Sequence, residues 1–167
     1  MPDAPTVQFD SRFSQPTAEA ASWTAAEDLL TAAELYWITT VRTDGRPHVT
    51  PLVGLWHDHA FWFTTGVGEQ KQRNLEHANQ VAVTTGANGW NSGTDVVVEG
   101  PATRATGAEL MRTLADRYLR KYGEDWRFEP GEDTLSESDH PSWVYRVAPT
   151  KVLVFAKDPH GQTSFRF

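Results

Sequence analysis

Alternating apolar and polar residues and β-branched runs predict strands in the first half of the chain. Phe61 and Phe63 alternate with Trp62 and Thr64, and β-branched and aromatic residues dominate two earlier runs. Aspartate and glycine next to each other provide hairpin-turn chemistry between those two runs. Three consecutive antiparallel strands are therefore predicted at 36–41, 49–56 and 60–65, with turns at Asp44-Gly45 and 57–59.

A similar pattern continues toward the C-terminus. Two valine-rich runs at 81–85 and 95–103 flank the turn-rich stretch GANGWNSG, which predicts a second hairpin. Two further strands are predicted at 143–147 and 151–156, before a terminal stretch at 163–167. Many short strands joined by tight turns indicate a closed or partly closed antiparallel barrel, because a doubly wound parallel sheet needs alternating strands and helices.

Three segments have helical patterns instead. Capping boxes at Thr24-Ala-Ala-Glu27 and Thr106-Gly-Ala-Glu109 predict a short helix to about residue 33 and a longer helix that ends at Gly123. The longer helix carries the stripe Leu110, Leu114, Tyr118 and Tyr122 at a spacing of four, and a short polar helix is predicted at 69–78. The acidic stretch 124–141 is predicted to be a long loop that serves as a lid or an interface segment.

The chain length indicates one structural domain. A single core can serve 167 residues, so we expect one domain over 23–167. Residues 1–22 are rich in proline, alanine, serine and threonine and lack periodicity, which predicts an arm that lies over the body or over a partner subunit.

Composition narrows the classes of function. Hydrophobic residues make up 39% and charged residues 22%, which is typical of a globular protein. The net charge of −7 disfavours a nucleic acid or a membrane as partner. The absence of cysteine excludes disulfides, a thiolate nucleophile and cysteine-ligated metal. The acidic, proline-containing N-terminus lacks the features of a signal peptide, so we expect a cytoplasmic protein.

Candidate binding chemistry is concentrated at the end of the third predicted strand. Thr64-Thr65-Gly66 leads through a glycine-containing turn into the polar helix, where Lys71 and Arg73 follow. Hydroxyls, free amides at a helix start and two cations are the groups that hold an anion such as phosphate. The spacing alone is equally typical of a strand–helix turn with solvated charges.

Three motifs resemble one family of proteins. Gly45-Arg46-Pro47-His48-Val49-Thr50-Pro51, Phe61-Trp62-Phe63-Thr64-Thr65 and Lys71-Gln72-Arg73-Asn74-Leu75 are similar, in this order, to the pyridoxamine 5′-phosphate oxidase-like superfamily. This superfamily of split β-barrels includes FMN-dependent and deazaflavin-dependent oxidoreductases, and the resemblance covers most of 35–106. It implies a mainly β, homodimeric split β-barrel with short helices and a cofactor at the subunit interface.

The resemblance also implies roles for particular residues. Val49, Thr50 and Pro51 would line the cofactor ring, while Thr64, Thr65, Gln70 and Lys71 would hold its anionic tail. Arg73 and Asn74 either join this site or merely cap and pack the helix. Trp90 or Trp143 would reach the cofactor from the partner subunit, although tryptophan is equally a core or interface residue.

Glu69 departs from the family pattern, because many relatives carry serine or a small residue there. A carboxylate repels a phosphate. Glu69 therefore points away, or the tail binds differently, or the affinity is low.

The resemblance implies an oxidoreductase that transfers a hydride between FMN or deazaflavin coenzyme F-420 and an unidentified small organic substrate. No residue stands out as a general acid or base, so the catalytic residues stay unknown. A non-catalytic flavin- or deazaflavin-binding or storage protein is one alternative, and a haem-binding split barrel with a histidine axial ligand is another. His57 and His59 flank Asp58 in a predicted turn, and we assign no metal there.

Overall fold

A computed structural model describes residues 4–167, and it is built mainly of antiparallel strands. Its three α-helices are α1 (Trp23–Ala32), α2 (Gln70–His77) and α3 (Ala108–Tyr122), and short 3₁₀ turns lie at Ser11–Phe13 and Glu124–Trp126. The strands are β1 (Thr6–Phe9), β2 (Tyr36–Val41), β3 (Pro47–Leu52), β4 (Leu55–His57), β5 (Ala60–Gly66), β6 (Gln80–Gly86), β7 (Thr94–Ala105), β8 (Glu129–Pro130), β9 (Thr134–Glu137), β10 (His140–Val147), β11 (Lys151–Lys157) and β12 (His160–Arg166).

The long strand β7 joins two halves of the sheet. Its first part pairs with β6 and β11, and Ala102–Ala105 pairs with β10. Beyond β6 lie β2 and β3, and beyond β11 lie β12 and β1, whereas β10 continues through β5 to β4. All pairs are antiparallel. The prediction of a mainly β split barrel is confirmed.

The alternation of β2 and β5 buries one core inside the barrel. Tyr36 and Ile38 point inward, and Phe61 and Phe63 from β5 pack with Tyr145 of β10, with stacked rings 5.5 Å apart for Phe63 and Tyr145. A second core lies under α3, whose apolar stripe packs on the other face of β5 and β10. Its fully buried members include Met111, Leu114, Tyr118, Leu135 and Val144.

The three consecutive strands predicted for the first half do not form one meander. The predicted run 49–56 is divided between β3 and β4, and β3 pairs only with β2 among the described strands. The chain crosses from one half to the other at Gly54, where an added Cβ would lie 2.3 Å from Cζ of Phe61. Only glycine fits this close approach, so the strand is interrupted there.

The acidic stretch 124–141 is not a loop, and that prediction is wrong. It contains β8 and β9, and β9 pairs with β10. Phe128 and Leu135 from this stretch are buried in the second core. The terminal stretch likewise forms strand β12, which lies between β11 and β1.

Residues 4–22 lie over the body and contribute β1 to the sheet. Neither predicted capping box forms. Ser22 caps α1 by accepting a hydrogen bond from the Ala25 amide at 3.1 Å, and Gly107 precedes α3 without a side-chain cap. Glu27 instead accepts from Trp56 Nε1 at 3.2 Å and lies 2.7 Å from His59 Nδ1. In the part of the chain that the structure describes, no helix is long and apolar enough to cross a membrane.

Candidate functional site

Helix α2 is anchored to the barrel by polar side chains on its inner face. Asn74 is buried and donates through Nδ2 to Thr40 Oγ1 of β2 at 2.8 Å. Gln70 Nε2 donates to Asn74 Oδ1 at 2.7 Å, and Gln72 Oε1 accepts from the Gly68 amide at 3.0 Å. Asn74 therefore packs the helix against β2, whereas Arg73 is exposed.

The turn between β5 and α2 brings together Thr65 and Lys71, two of the four side chains predicted to hold an anionic tail. We call Thr65, Gly66, Glu69 and Lys71 the anion site. Thr65 Oγ1 donates to Glu69 Oε2 at 2.8 Å, and Lys71 Nζ lies 2.9 Å from the same oxygen. The Lys71 side chain is only 14% exposed. Thr64 is half-buried and points to the opposite face of β5, where its cross-strand partner Val144 belongs to the second core.

Glu69 points into the turn and not away from it. Burial alone would raise the pKa of the Glu69 carboxyl, but hydrogen bonds from Lys71 and Thr65 outweigh burial and hold the pKa below its usual range. The carboxylate therefore stays ionised at neutral pH. Since α2 begins at Gln70 without a side-chain cap, the amides of its first turn keep their ability to bind an anion.

Strand β3 divides the three residues predicted to line a ring. Val49 and Pro51 are exposed on one face, while Thr50 points to the opposite face. Thr50 Oγ1 is buried and has no hydrogen-bond partner, and no other buried side-chain nitrogen or oxygen of residues 4–167 lacks one. A buried hydroxyl without a partner is costly, so it marks a place where a ligand can supply the missing bond.

His48 belongs to the same face of β3 as Thr50, and it was not predicted as a site residue. Its Nδ1 lies 3.5 Å from Thr40 Oγ1. Burial lowers the pKa of the imidazole, and the positive charges of Arg42 and Lys71 lower it further. His48 therefore links β3 electrostatically to the anion site. Its spacing of two from Thr50 on a strand was the available sequence signal.

The two predicted tryptophans lie in different surroundings. Trp143 is in register with Thr65 across β10 and β5, and the Arg104 guanidinium stacks on its ring at 4.0 Å. Trp143 thus lies beside Thr65 of its own chain. Trp90 is 90% exposed on the β6–β7 hairpin.

An open cavity of about 1250 Å³ lies beside the β6–β7 hairpin. Its lining includes Trp37, Trp90, Phe155 and His160, and Trp90 is the only predicted site residue, of those within 4–167, that takes part in it. No cluster of three or more histidine, aspartate or glutamate side chains suited to a metal occurs within these residues.

Comparisons with solved structures show the fold. The conserved hypothetical protein Rv2991 from Mycobacterium tuberculosis aligns with a TM-score of 0.68 at 17% identity, covering 86% of this chain and 89% of its own. The FAD binding protein from Mycobacterium smegmatis aligns with a TM-score of 0.57 at 20% identity, covering 90% and 100%. HutZ, the heme storage protein from Vibrio cholerae, aligns with a TM-score of 0.61 at 15% identity, covering 81% and 94%.

Sequence comparisons give the family. No curated protein sequence matches the chain significantly. The family model described as pyridoxamine 5′-phosphate oxidase matches residues 22–155, which include the second core, most of the first core, the anion site and strand β3. The chain therefore belongs to the pyridoxamine 5′-phosphate oxidase family.

Proposed function

We propose that this chain binds a flavin-type cofactor, FMN or deazaflavin F-420, and transfers a hydride between it and a small organic substrate. The observation that carries the proposal is the unpartnered, buried hydroxyl of Thr50, on the same face of β3 as His48. A ligand with hydrogen-bonding ring atoms would satisfy this hydroxyl. The family to which the chain belongs supports the same class of ligand.

The hydrogen-bond donors of the anion site suit the anionic tail of such a cofactor. Thr65 offers a hydroxyl, Lys71 an ammonium group, and α2 the free amides of its first turn. Gln70 borders these groups and is a further candidate for the same tail, whereas Thr64 points to the opposite face of β5 from Thr65. Glu69 is the one group that does not suit an anionic ligand, because its carboxylate already accepts from both Thr65 and Lys71.

The protein's own contribution is orientation. When bound, such a cofactor accepts or supplies two electrons and one proton as a hydride, while the second proton of the substrate is exchanged with water. Thr50 would fix the ring, and Lys71 would fix the tail. His48 keeps a neutral imidazole at neutral pH because its pKa is lowered, so it adds no positive charge to the site.

We also propose a homodimer, since one face of the sheet is apolar and uncovered. Cross-strand pairing places Pro51, Trp37, Thr84, Val97 and Leu153 in one row, which we call the outer sheet face. Trp37 is 48% exposed, and nearby Val49 is 53% exposed. A second copy of the same face would remove these side chains from water. Trp90 is better placed than Trp143 to reach the cofactor site of the partner subunit, because Trp90 is exposed and Trp143 lies beside Thr65 of its own chain.

Binding is tested by titrating the purified chain with FMN and, separately, with F-420. Lys71→Met should weaken the preferred cofactor by about tenfold or more, because it removes a charge-assisted contact worth roughly 1.5–3 kcal/mol. Lys151→Met is the matched control, since Lys151 lies 3.9 Å from Glu99 and outside the site. Equal affinities for wild type, Lys71→Met and Lys151→Met would contradict the assignment of the tail.

Catalysis is separated from storage by a second measurement. Reduced cofactor bound to the protein should pass its hydride to a small quinone faster than the free reduced cofactor does at the same concentration. Equal or slower transfer would favour a storage protein.

A haem-binding role is the second candidate, because His160 lines the 1250 Å³ cavity together with Trp37 and Trp90. A histidine beside a large aromatic cavity is suited to an axial ligand. Haem added to the purified chain would then give a Soret band that His160→Ala shifts and His140→Ala leaves unchanged. The absence of a protein-induced Soret shift would exclude this role.

A further inference from the structure

The Glu69 carboxylate lies at the centre of the anion site. Its Oε2 accepts from Thr65 Oγ1 at 2.8 Å and from Lys71 Nζ at 2.9 Å. Its Oε1 lies over Gly66, where an added Cβ would be 3.1 Å away. The carboxylate thus uses both the side-chain donors and the space that an external anion would need.

We propose that Glu69 is an internal ligand of the anion site that competes with phosphate for Thr65 and Lys71. For cofactor binding, this inference rests on the proposed function, whereas the competition itself concerns residues of this chain alone. A phosphate-bearing tail can use Thr65 and Lys71 only after the Glu69 side chain is displaced. Glu69 therefore selects between cofactors according to the charge of the tail.

The charges of the site support this competition. Lys71 supplies one positive charge, and the Glu69 carboxylate neutralises it at a distance of 2.9 Å. A phosphate placed on the same donors would meet a like charge within a few ångströms, and like charges at that separation repel strongly. Without Glu69, the ammonium group and the free amides of α2 would face the phosphate together.

The donors are held in place, but Glu69 is not. Thr65 is buried and Lys71 is mostly covered, whereas half of the Glu69 side chain is exposed to solvent. A partly exposed side chain can rotate into water without breaking the packing around it. The arrangement therefore permits exchange of Glu69 for an external anion.

The first test uses inorganic phosphate and needs no cofactor. Phosphate binding is followed by NMR shifts of the backbone amides at 66–71 in wild type, Glu69→Gln, Glu69→Ser and Glu99→Gln. We expect Glu69→Ser to bind phosphate about tenfold more tightly than wild type, with Glu69→Gln between them, because glutamine removes the charge and still fills the site. Glu99→Gln removes one negative charge beside a lysine elsewhere, and its affinity should equal that of wild type.

The second test compares FMN with riboflavin, which has the same ring and no phosphate. Glu69→Ser should increase the preference for FMN over riboflavin about tenfold. Equal phosphate affinities in all four proteins, or a loss of phosphate affinity in Glu69→Ser, would overturn the inference. If neither flavin nor F-420 binds any of the proteins, the proposed function fails, and the phosphate titration still decides the role of Glu69.

Discussion

Replacing Thr50 with valine separates the needs of the fold from those of the ligand. The Thr50 hydroxyl is buried without a partner, and a buried hydroxyl of this kind costs roughly 1–3 kcal/mol. Valine keeps the shape of threonine and suits a strand equally well. Thr50→Val should therefore raise the free energy of unfolding of the cofactor-free chain by about 1 kcal/mol, which corresponds to about 2–4 °C in Tm at this size.

The same substitution should weaken cofactor binding. A neutral hydrogen bond contributes roughly 0.5–1.5 kcal/mol, so the affinity should fall about 2- to 10-fold. Calorimetric melting without cofactor and fluorescence titration with cofactor give the two quantities. A Thr50→Val chain that melts lower than wild type and binds the cofactor equally well would refute the reasoning.

Thr163→Val is the matched control. Thr163 is also a buried strand threonine, but its Oγ1 accepts from the Ala21 amide at 3.0 Å. Its replacement leaves that amide without a partner, so this variant should lose about 1 kcal/mol of stability and keep the wild-type cofactor affinity.

Trp37→Glu should convert the proposed dimer to a folded monomer in sedimentation experiments, because it puts a charge on the outer sheet face. Phe13→Glu lies outside that face and should leave the mass unchanged. Lys157 donates to the Ala87 and Gly89 carbonyls and pairs with Asp95 at 3.0 Å, so it holds the β6–β7 hairpin in place. Lys157→Met should therefore speed chymotrypsin cleavage at Trp90. In Lys121→Met, the free energy of unfolding should rise less between pH 8 and 10.5 than it does in wild type. Burial lowers the pKa of Lys121 to about 8, against an ordinary value of 10.5. Between these two pH values the unfolded chain binds a proton that the folded chain has lost, so the free energy of unfolding of wild type rises with pH.

Each of these predictions has its own contrary result. A Trp37→Glu chain with the mass of wild type would argue against the outer sheet face as the interface. An unchanged cleavage rate for Lys157→Met would show that the hairpin is held by other contacts. Parallel pH profiles of wild type and Lys121→Met would show that Lys121 keeps its proton over that range.

Local patterns were enough to predict most strands and helices. The pattern at 60–65 corresponds to β5, whose two faces are buried in the two cores, and the stripe from Leu110 to Tyr122 corresponds to α3, which buries one face. The β8–β9 hairpin was missed because β8 has two residues and β9 has four, which is too short for a clear alternating pattern. The N-cap of α1 is Ser22, which lies just before the predicted capping box. Glu27 does not complete that box, because its carboxylate contacts Trp56 and His59.

The candidate site was predictable in its parts but not in its geometry. Thr65 and Lys71 could be singled out by their position before and within a short polar helix, and the structure brings them to one carboxylate oxygen. The orientation of Glu69 depends on the turn through Gly66 and Gly68, which no pattern specifies. The unpartnered state of Thr50 depends on the three-dimensional packing around β3, which no sequence pattern specifies.

The shared strand β7 has a consequence for how the chain loses its structure. At Gly100 the strand passes from its pairing with β6 and β11 to its pairing with β10, and an added Cβ there would lie 2.1 Å from the Ala148 carbonyl oxygen. If either half of the sheet loses its pairing with β7, the other half loses a paired strand as well. Separate melting of the two cores is therefore disfavoured, and unfolding should be cooperative. The amides of β7 should then exchange with solvent only through global unfolding, which makes them the natural probe of the whole chain's stability.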